Sequence, residues 1–285
     1  MKKTFAFCNQ KGGVGKTTTV INLSALLALE GYRVLVIDMD AQANATSGLG
    51  IEKPDLQFTT YQLLVENSNP LELVQPTAID GLFIIPSNAD LSGAELELMN
   101  AEQREFRLKS ALEKLSPAFD FIFIDCPPSL GLVTVNALSA SDYVFIPLQC
   151  EYYALEGLGQ LLRSYQLVKD NLNPELEIGG VLLTMADFRT NLTQQVIEEV
   201  RNYFKEKAFT AVIPRSVKIS EAPSFGKPAV IYDAANRGSK AYLEAGKEFI
   251  KKYPAPKQEI RAQVTPEVPV PEPETAAPTS EEARS

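Results

Sequence analysis

Lys11-Gly12-Gly13-Val14-Gly15-Lys16-Thr17-Thr18 follows the apolar run at residues 5–8 and opens an apolar-periodic stretch. Glycine accepts positive φ and lets a main chain come close to a ligand, so Gly12, Gly13 and Gly15 allow this loop to turn its N–H groups inward around an anion. A helix starting at Lys16 adds the positive end of its dipole. Gly15-Lys16-Thr17 fits the second half of the phosphate-binding pattern G-x-x-x-x-G-K-T, with Gln10 where the first glycine would stand. In that chemistry Lys16 meets the β- and γ-phosphate oxygens, Thr17 offers its hydroxyl to Mg²⁺, and Thr18 donates to the α-phosphate. Lys11 is surplus to one such site and is suited to neutralising charge on a nucleotide held by a partner subunit.

Three carboxylates complete the candidate chemistry. Asp125 ends an apolar stretch and is followed by Pro127-Pro128; a carboxylate there can hold Mg²⁺ through its water shell. Asp38 and Asp40 follow a second apolar stretch, and strand alternation would aim both to one side. For Asp38 the other reading is a loop cap. The chain has no histidine, so any general base must be a carboxylate.

These residues need a scaffold, and the pattern around them supplies one. A strand at residues 4–8, a helix at 16–30 closed by Gly31 and a strand at 33–38 make a βαβ start. Short, nearly all-apolar strands follow at 82–86, 120–125, 143–147, 178–184 and 210–213, as expected of parallel strands buried on both faces. Helical patterns lie at 95–115, 131–140, 155–171, 192–207 and 239–252, while 48–80 reads as short helix and loop. The alternation predicts a doubly wound α/β fold, a mostly parallel sheet with helices on both faces. Ligands in such sheets bind at the carboxyl ends of the strands, where Asp38, Asp40 and Asp125 fall.

KGGVGKTT, with VLVIDMDAQANAT at 34–46 and FIFIDCPPSLG at 121–131, resembles the deviant Walker A, A′ and Walker B motifs of the ParA/MinD family of P-loop ATPases. LLTMADFRTNL at 182–192 and IPRSVKISEAPSFGKP at 213–228 are similar, within that family, to the ParA/Soj partition ATPases. The resemblance spans roughly residues 1–253. It implies an enzyme that hydrolyses ATP to ADP and phosphate with Mg²⁺, Asp40 orienting the attacking water and Asp38 supporting the magnesium shell. Lys11 would act across an ATP-dependent sandwich homodimer. Adenine would pack near Pro214, whose other reading is an ordinary strand-ending proline. The dimer would bind nonspecific double-stranded DNA through Arg189 and Lys218, at the nucleoid in the cytoplasm, until a ParB-like centromere-binding protein stimulates hydrolysis and release. Arg189 and Lys218 also read as solvated surface, and Lys240, Lys247, Lys251 and Lys252 as either an extension of a basic patch or the wet face of the last helix.

Composition bounds the alternatives. The chain has 285 residues, 45% hydrophobic and 22% charged, enough for one domain with a tail. A net charge of −9 argues against a uniformly basic nucleic-acid binder and leaves room for a local patch. Cys8, Cys126 and Cys150 lie in or beside apolar runs and read as buried thiols of a reducing compartment. Neither a signal peptide nor a membrane span is expected. Residues 254–285 hold seven prolines, six glutamates and no aromatic residue, which predicts a disordered tail or an extended partner-binding segment. A MinD-like membrane-recruited regulator of cell division is the alternative; it needs a C-terminal amphipathic anchor, and an acidic end is repelled by anionic lipid. An iron–sulfur ATPase of the nitrogenase iron-protein type would need cluster cysteines on loops, whereas Cys126 and Cys150 adjoin apolar strands.

Overall fold

The computed structural model describes residues 3–53, 56, 58–115, 118–151 and 154–255. The expected tail therefore lies, from residue 256 on, outside the described residues. Eight strands form one sheet: β1 (Lys3–Phe7), β2 (Val34–Asp38), β3 (Gln75–Pro76), β4 (Leu82–Ile85), β5 (Phe121–Asp125), β6 (Tyr143–Gln149), β7 (Glu177–Ala186) and β8 (Ala208–Pro214), in the spatial order β3-β4-β2-β5-β1-β6-β7-β8. All neighbours pair in parallel except the two-residue edge strand β3, which runs antiparallel to β4. The doubly wound fold expected from the alternation is the one observed.

Period-two alternation sorts the strand residues onto two different faces. Phe5, Phe7, Val34, Val36, Phe121, Phe123 and Phe145 face α1 (Lys16–Leu29) and α11 (Arg237–Lys252), meeting Leu23, Leu27, Tyr242 and Phe249. That face is aromatic, with Phe7 and Phe123 centroids 4.9 Å apart and Phe145 and Phe209 at 5.1 Å in an edge-to-face pair. Ala6, Leu35, Ile37, Ile122, Ile124 and Ile146 face the other way, toward α5 (Arg107–Leu115), α6 (Leu132–Ser139), α7 (Ala154–Asn171) and α8 (Asn191–Phe204). Strands buried on both sides have no polar face, which is why they read as continuous apolar runs.

Short helices complete the chain: α2 (Asn44–Gly48), α3 (Pro70–Leu73), α4 (Ala94–Leu98), α9 (Val217–Glu221) and α10 (Ala229–Tyr232). The helix expected over 95–115 is two helices, α4 and α5, separated by a turn in which Gln103 has φ +50°. Asn136 of α6 causes the break: its amide donates to the Arg104 carbonyl at 2.7 Å and its oxygen accepts from the Leu108 N–H at 3.2 Å, replacing helical bonds. Helices α9 and α10 were not expected.

Between Ile178 and Gly180 the register of β7 against β6 slips by one residue, a bulge at Gly179. A Cβ on Gly180 would stand 2.5 Å from Cε2 of Phe209 and 3.0 Å from Cε2 of Phe145, so the aromatic face occupies the space a side chain would need. Gly180→Ala is expected to destabilise the fold by about 1–3 kcal/mol, the usual cost of overpacking. A urea midpoint equal to wild type would show that the aromatic layer has slack.

Candidate nucleotide site and its surroundings

The loop after β1 is fixed by Asn9, whose amide donates to the Pro147 carbonyl at 2.8 Å while its oxygen accepts from the Lys11 N–H at 3.0 Å. Gly13 and Gly15 adopt φ +71° and +86°, where a side chain would be strained. Thr184 at the end of β7 donates its hydroxyl to the Val14 carbonyl at 2.8 Å, holding the other wall of the loop. Gly15 precedes the first turn of α1 without a side-chain cap, so the amides there face no side-chain acceptor. Lys16 is buried, its ammonium only 3.4 Å from the Lys11 carbonyl, and Thr17 and Thr18 are half-buried beside it. Gly12 has open space where a side chain would project.

Parallel register puts Phe7, Asp125 and Asp38 at one level across β1, β5 and β2. Both acids are fully buried. Asp38 is saturated: it accepts from the Asp40 N–H at 3.1 Å and from the N–H and hydroxyl of Thr46 at 2.9 and 2.7 Å. Burial still pushes its pKa up to about 6. Among the described residues neither oxygen of Asp125 has a hydrogen-bond partner. Burial, then the neighbouring Asp38 charge, raise the Asp125 pKa well above the carboxylate range; the Thr17 hydroxyl and Lys16 ammonium pull the other way from beyond bonding geometry. An orphaned carboxylate beside a threonine hydroxyl and a bare helix start fits Mg²⁺, which binds through one or two protein oxygens plus phosphate and water. Among the described residues no group of three or more acidic or cysteine side chains would cage a metal by itself. Asp40 is half-buried and accepts from the Gln42 N–H at 3.0 Å.

Lys11 turns away from this cradle. Its ammonium meets Glu151 at 2.9 Å, just past the end of β6, and Arg215 approaches the other Glu151 oxygen at 3.6 Å. Glu151 was not expected; the only cue was a carboxylate at the carboxyl end of a parallel strand. Pro214 lines a cavity of about 260 Å³ together with Gly15, Thr18, Thr184, Met185 and Ile219. Arg189 sits in the turn after β7, forked onto Asp187 at 2.8 and 2.6 Å, and this pairing pulls Asp187 down to about 2. Lys218 on α9 pairs with Glu221 at 2.9 Å. Of the last-helix lysines, Lys247 pairs with Glu244 and Lys252 with Glu248, at 2.8 and 3.7 Å. Gly50 after α2 and Gly226 after α9 meet main chain to main chain, at φ +81° and +61°: a Cβ on Gly226 would stand 2.9 Å from the Gly50 Cα.

A family model described as an AAA domain matches residues 2–178. Sporulation initiation inhibitor protein Soj of Bacillus subtilis (strain 168) is 56% identical over 248 residues, 87% of this chain and 98% of that protein. Chromosome partitioning protein ParA of Myxococcus xanthus (strain DK1622) is 54% identical over 244 residues, 86% of each. The chain belongs to the ParA/Soj family of partition ATPases. The solved structure of cobyrinic acid a,c-diamide synthase from Mycobacterium smegmatis, with bound ATP analogue and magnesium, is 36% identical with a TM-score of 0.76, covering 87% of this chain and 93% of that one. In this ParA/Soj chain the loop, Asp38, Asp40 and Asp125 converge at one end of the sheet, whereas Arg189 and Lys218 stand outside that cradle.

A carboxylate pair held above its normal pKa makes the stability of the nucleotide-free protein pH-sensitive. Between the unfolded carboxylate pKa of about 3.9 and the raised folded value, the native state holds protons the unfolded state has lost, so stability falls as pH rises across that window. Asp125→Asn removes one charge at nearly constant shape. Without nucleotide it is expected to melt higher than wild type at pH 7, with a smaller difference at pH 5, and to lose the stabilisation that Mg²⁺ adds in the presence of nucleotide. Calorimetry showing a wild-type melting point and magnesium response at pH 7 would remove Asp125 from the metal site.

Proposed function

We infer that this chain is an ATP-driven partition switch of the cytoplasm and nucleoid, residues 1–253 forming the ATPase unit and 254–285 a tail. The observation that carries this reading is the cradle: positive-φ glycines and uncapped α1 amides facing a buried lysine and an unpartnered aspartate. ATP fits it with the triphosphate on residues 11–18 and the base against Pro214. Mg²⁺, held by Thr17 and Asp125 with Asp38 behind them, supplies charge neutralisation for phosphoryl transfer. Lys16 meets the β- and γ-phosphates, and Asp40 orients the attacking water, helped by its place at the rim of the buried acids.

Lys11 makes the reading a switch. Lys11 and Glu151 are each about two-fifths exposed, at 39% and 43%, and such a pair contributes at most about 1 kcal/mol. A charge-assisted bond to phosphate is worth about 1.5–3 kcal/mol, so a second ATP-loaded subunit can draw Lys11 off Glu151. The resulting homodimer binds nonspecific double-stranded DNA through Arg189 and Lys218, and a ParB-like partner stimulates hydrolysis and release.

Asp40→Ala is expected to bind ATP, to lose turnover by about 10²-fold or more as positioned general bases do, and to accumulate as dimer on DNA. Wild-type turnover would take Asp40 out of catalysis; a non-hydrolysing monomer off DNA would break the link between ATP and DNA. Lys11→Ala is expected to bind ATP in calorimetry and remain monomeric in light scattering. A normal ATP-dependent dimer would contradict the role given to Lys11 across the interface.

A further inference from the structure

A second cleft, of about 470 Å³, opens between the turn after β7, the end of β8 and the start of α11. Arg189, Arg215 and Arg237 line it from three separate chain segments, with Asp187, Ser216 and Asn236 between them. Three guanidinium groups around one carboxylate make this a local reversal of a chain whose net charge is −9. The carboxylate is already committed, since Asp187 takes the Arg189 fork through both oxygens. Arg215 leans only loosely on Glu151, at 3.6 Å. Arg237 is exposed, at the first position of α11, and has no carboxylate within ion-pair distance among the described residues. The Asn236 oxygen caps the Gly238 N–H at 2.8 Å and accepts from the Ser216 hydroxyl at 2.9 Å, which pins the α11 start to the chain leaving β8.

We propose that this cleft seats a DNA backbone phosphate, with Arg237 as its uncompensated cation and Arg215 and Arg189 as the flanking donors. The proposal rests on the DNA reading above and extends it to residues outside the expected pair. Guanidinium groups match phosphate with paired donors, and contacts of this kind position a duplex without reading its sequence. Exposure decides between a polymer and a small ligand. A small-molecule site buries most of its ligand against apolar walls and a few fixed polar groups. Here the Arg189 and Arg215 side chains are 88% and 64% exposed, so each contact is screened by water and salt. Weak contacts of that kind hold a ligand only when a long anionic chain supplies many of them.

The test is binding of the full chain, loaded with ATP and Mg²⁺, to a random-sequence duplex across a series of salt concentrations, comparing wild type, Arg237→Ala and Arg237→Lys. Arg237→Ala is expected to bind several-fold more weakly at low salt and to lower the slope of log affinity against log salt by about 1, the loss of one phosphate contact. Arg237→Lys is expected to keep the wild-type slope, and equal melting points of the three proteins would confirm that each is folded. Wild-type affinity and slope in Arg237→Ala overturn the proposal while leaving the DNA reading intact. A wild-type chain that binds no duplex overturns the DNA reading itself. At matched ionic strength, AMP displacing DNA from wild type and not from Arg237→Ala would assign the cleft to a small phosphate ligand and overturn the backbone seat.

Discussion

Two carboxylates buried side by side, Asp38 and Asp125, are the constraint around which this end of the molecule is built. Both are fully enclosed at one level of adjacent parallel strands, where low dielectric penalises each charge and each penalises the other. The fold resolves the two differently. Asp38 is given three donors, and through Thr46, whose hydroxyl also accepts from the Ser87 N–H at 3.0 Å, it draws the ends of β2 and β4 together. Asp125 is given none. A buried acceptor without partners is a standing demand for a cation, and the nearest positive features are the Lys16 side chain and the start of α1.

Position across the sheet follows from the same constraint. Only parallel strands bring β2, β5, β1 and β6 to the same edge with their carboxyl ends aligned, and such strands must be covered on both faces. The two coverings differ in kind. On the α1 and α11 side, rings from Phe5, Phe7, Phe121, Phe123 and Phe145 fill the layer, and glycine at 179 and 180 makes room for them. On the other side aliphatic side chains predominate, with Phe119 and Phe204 among them. The loop bearing Lys16 lies between β1 and α1, against the ring-rich layer.

Much of this was legible in the sequence because the signals are local. The glycine–lysine–threonine run, the apolar strands and the aspartates that end β2 and β5 each occupy a few consecutive residues whose chemistry is self-evident. Reading failed where a distant group decides the outcome. Nothing within residues 95–115 announces a broken helix, since the polar atoms that break it belong to Asn136. Glu151 and Arg237 are single charged residues without a motif; only the fold shows that one faces Lys11 and that the other, without a carboxylate partner among the described residues, stands beside two more arginines. Asp38 and Asp40 lie two residues apart on what alternation treats as one face, yet Asp38 is saturated with donors while Asp40 meets a single backbone amide.

The contact between Gly50 and Gly226 has a mechanical meaning. Side chains absorb small displacements by turning about their torsions, and a packed layer of them acts as a cushion. Here two bare main chains press together, so there is nothing to turn. α2, which holds Asp38 through Thr46, and the segment that carries Lys218 are joined as two rods are joined at a pin. A side chain added at either glycine would have to part the two segments, since nothing at the contact can rotate out of its way.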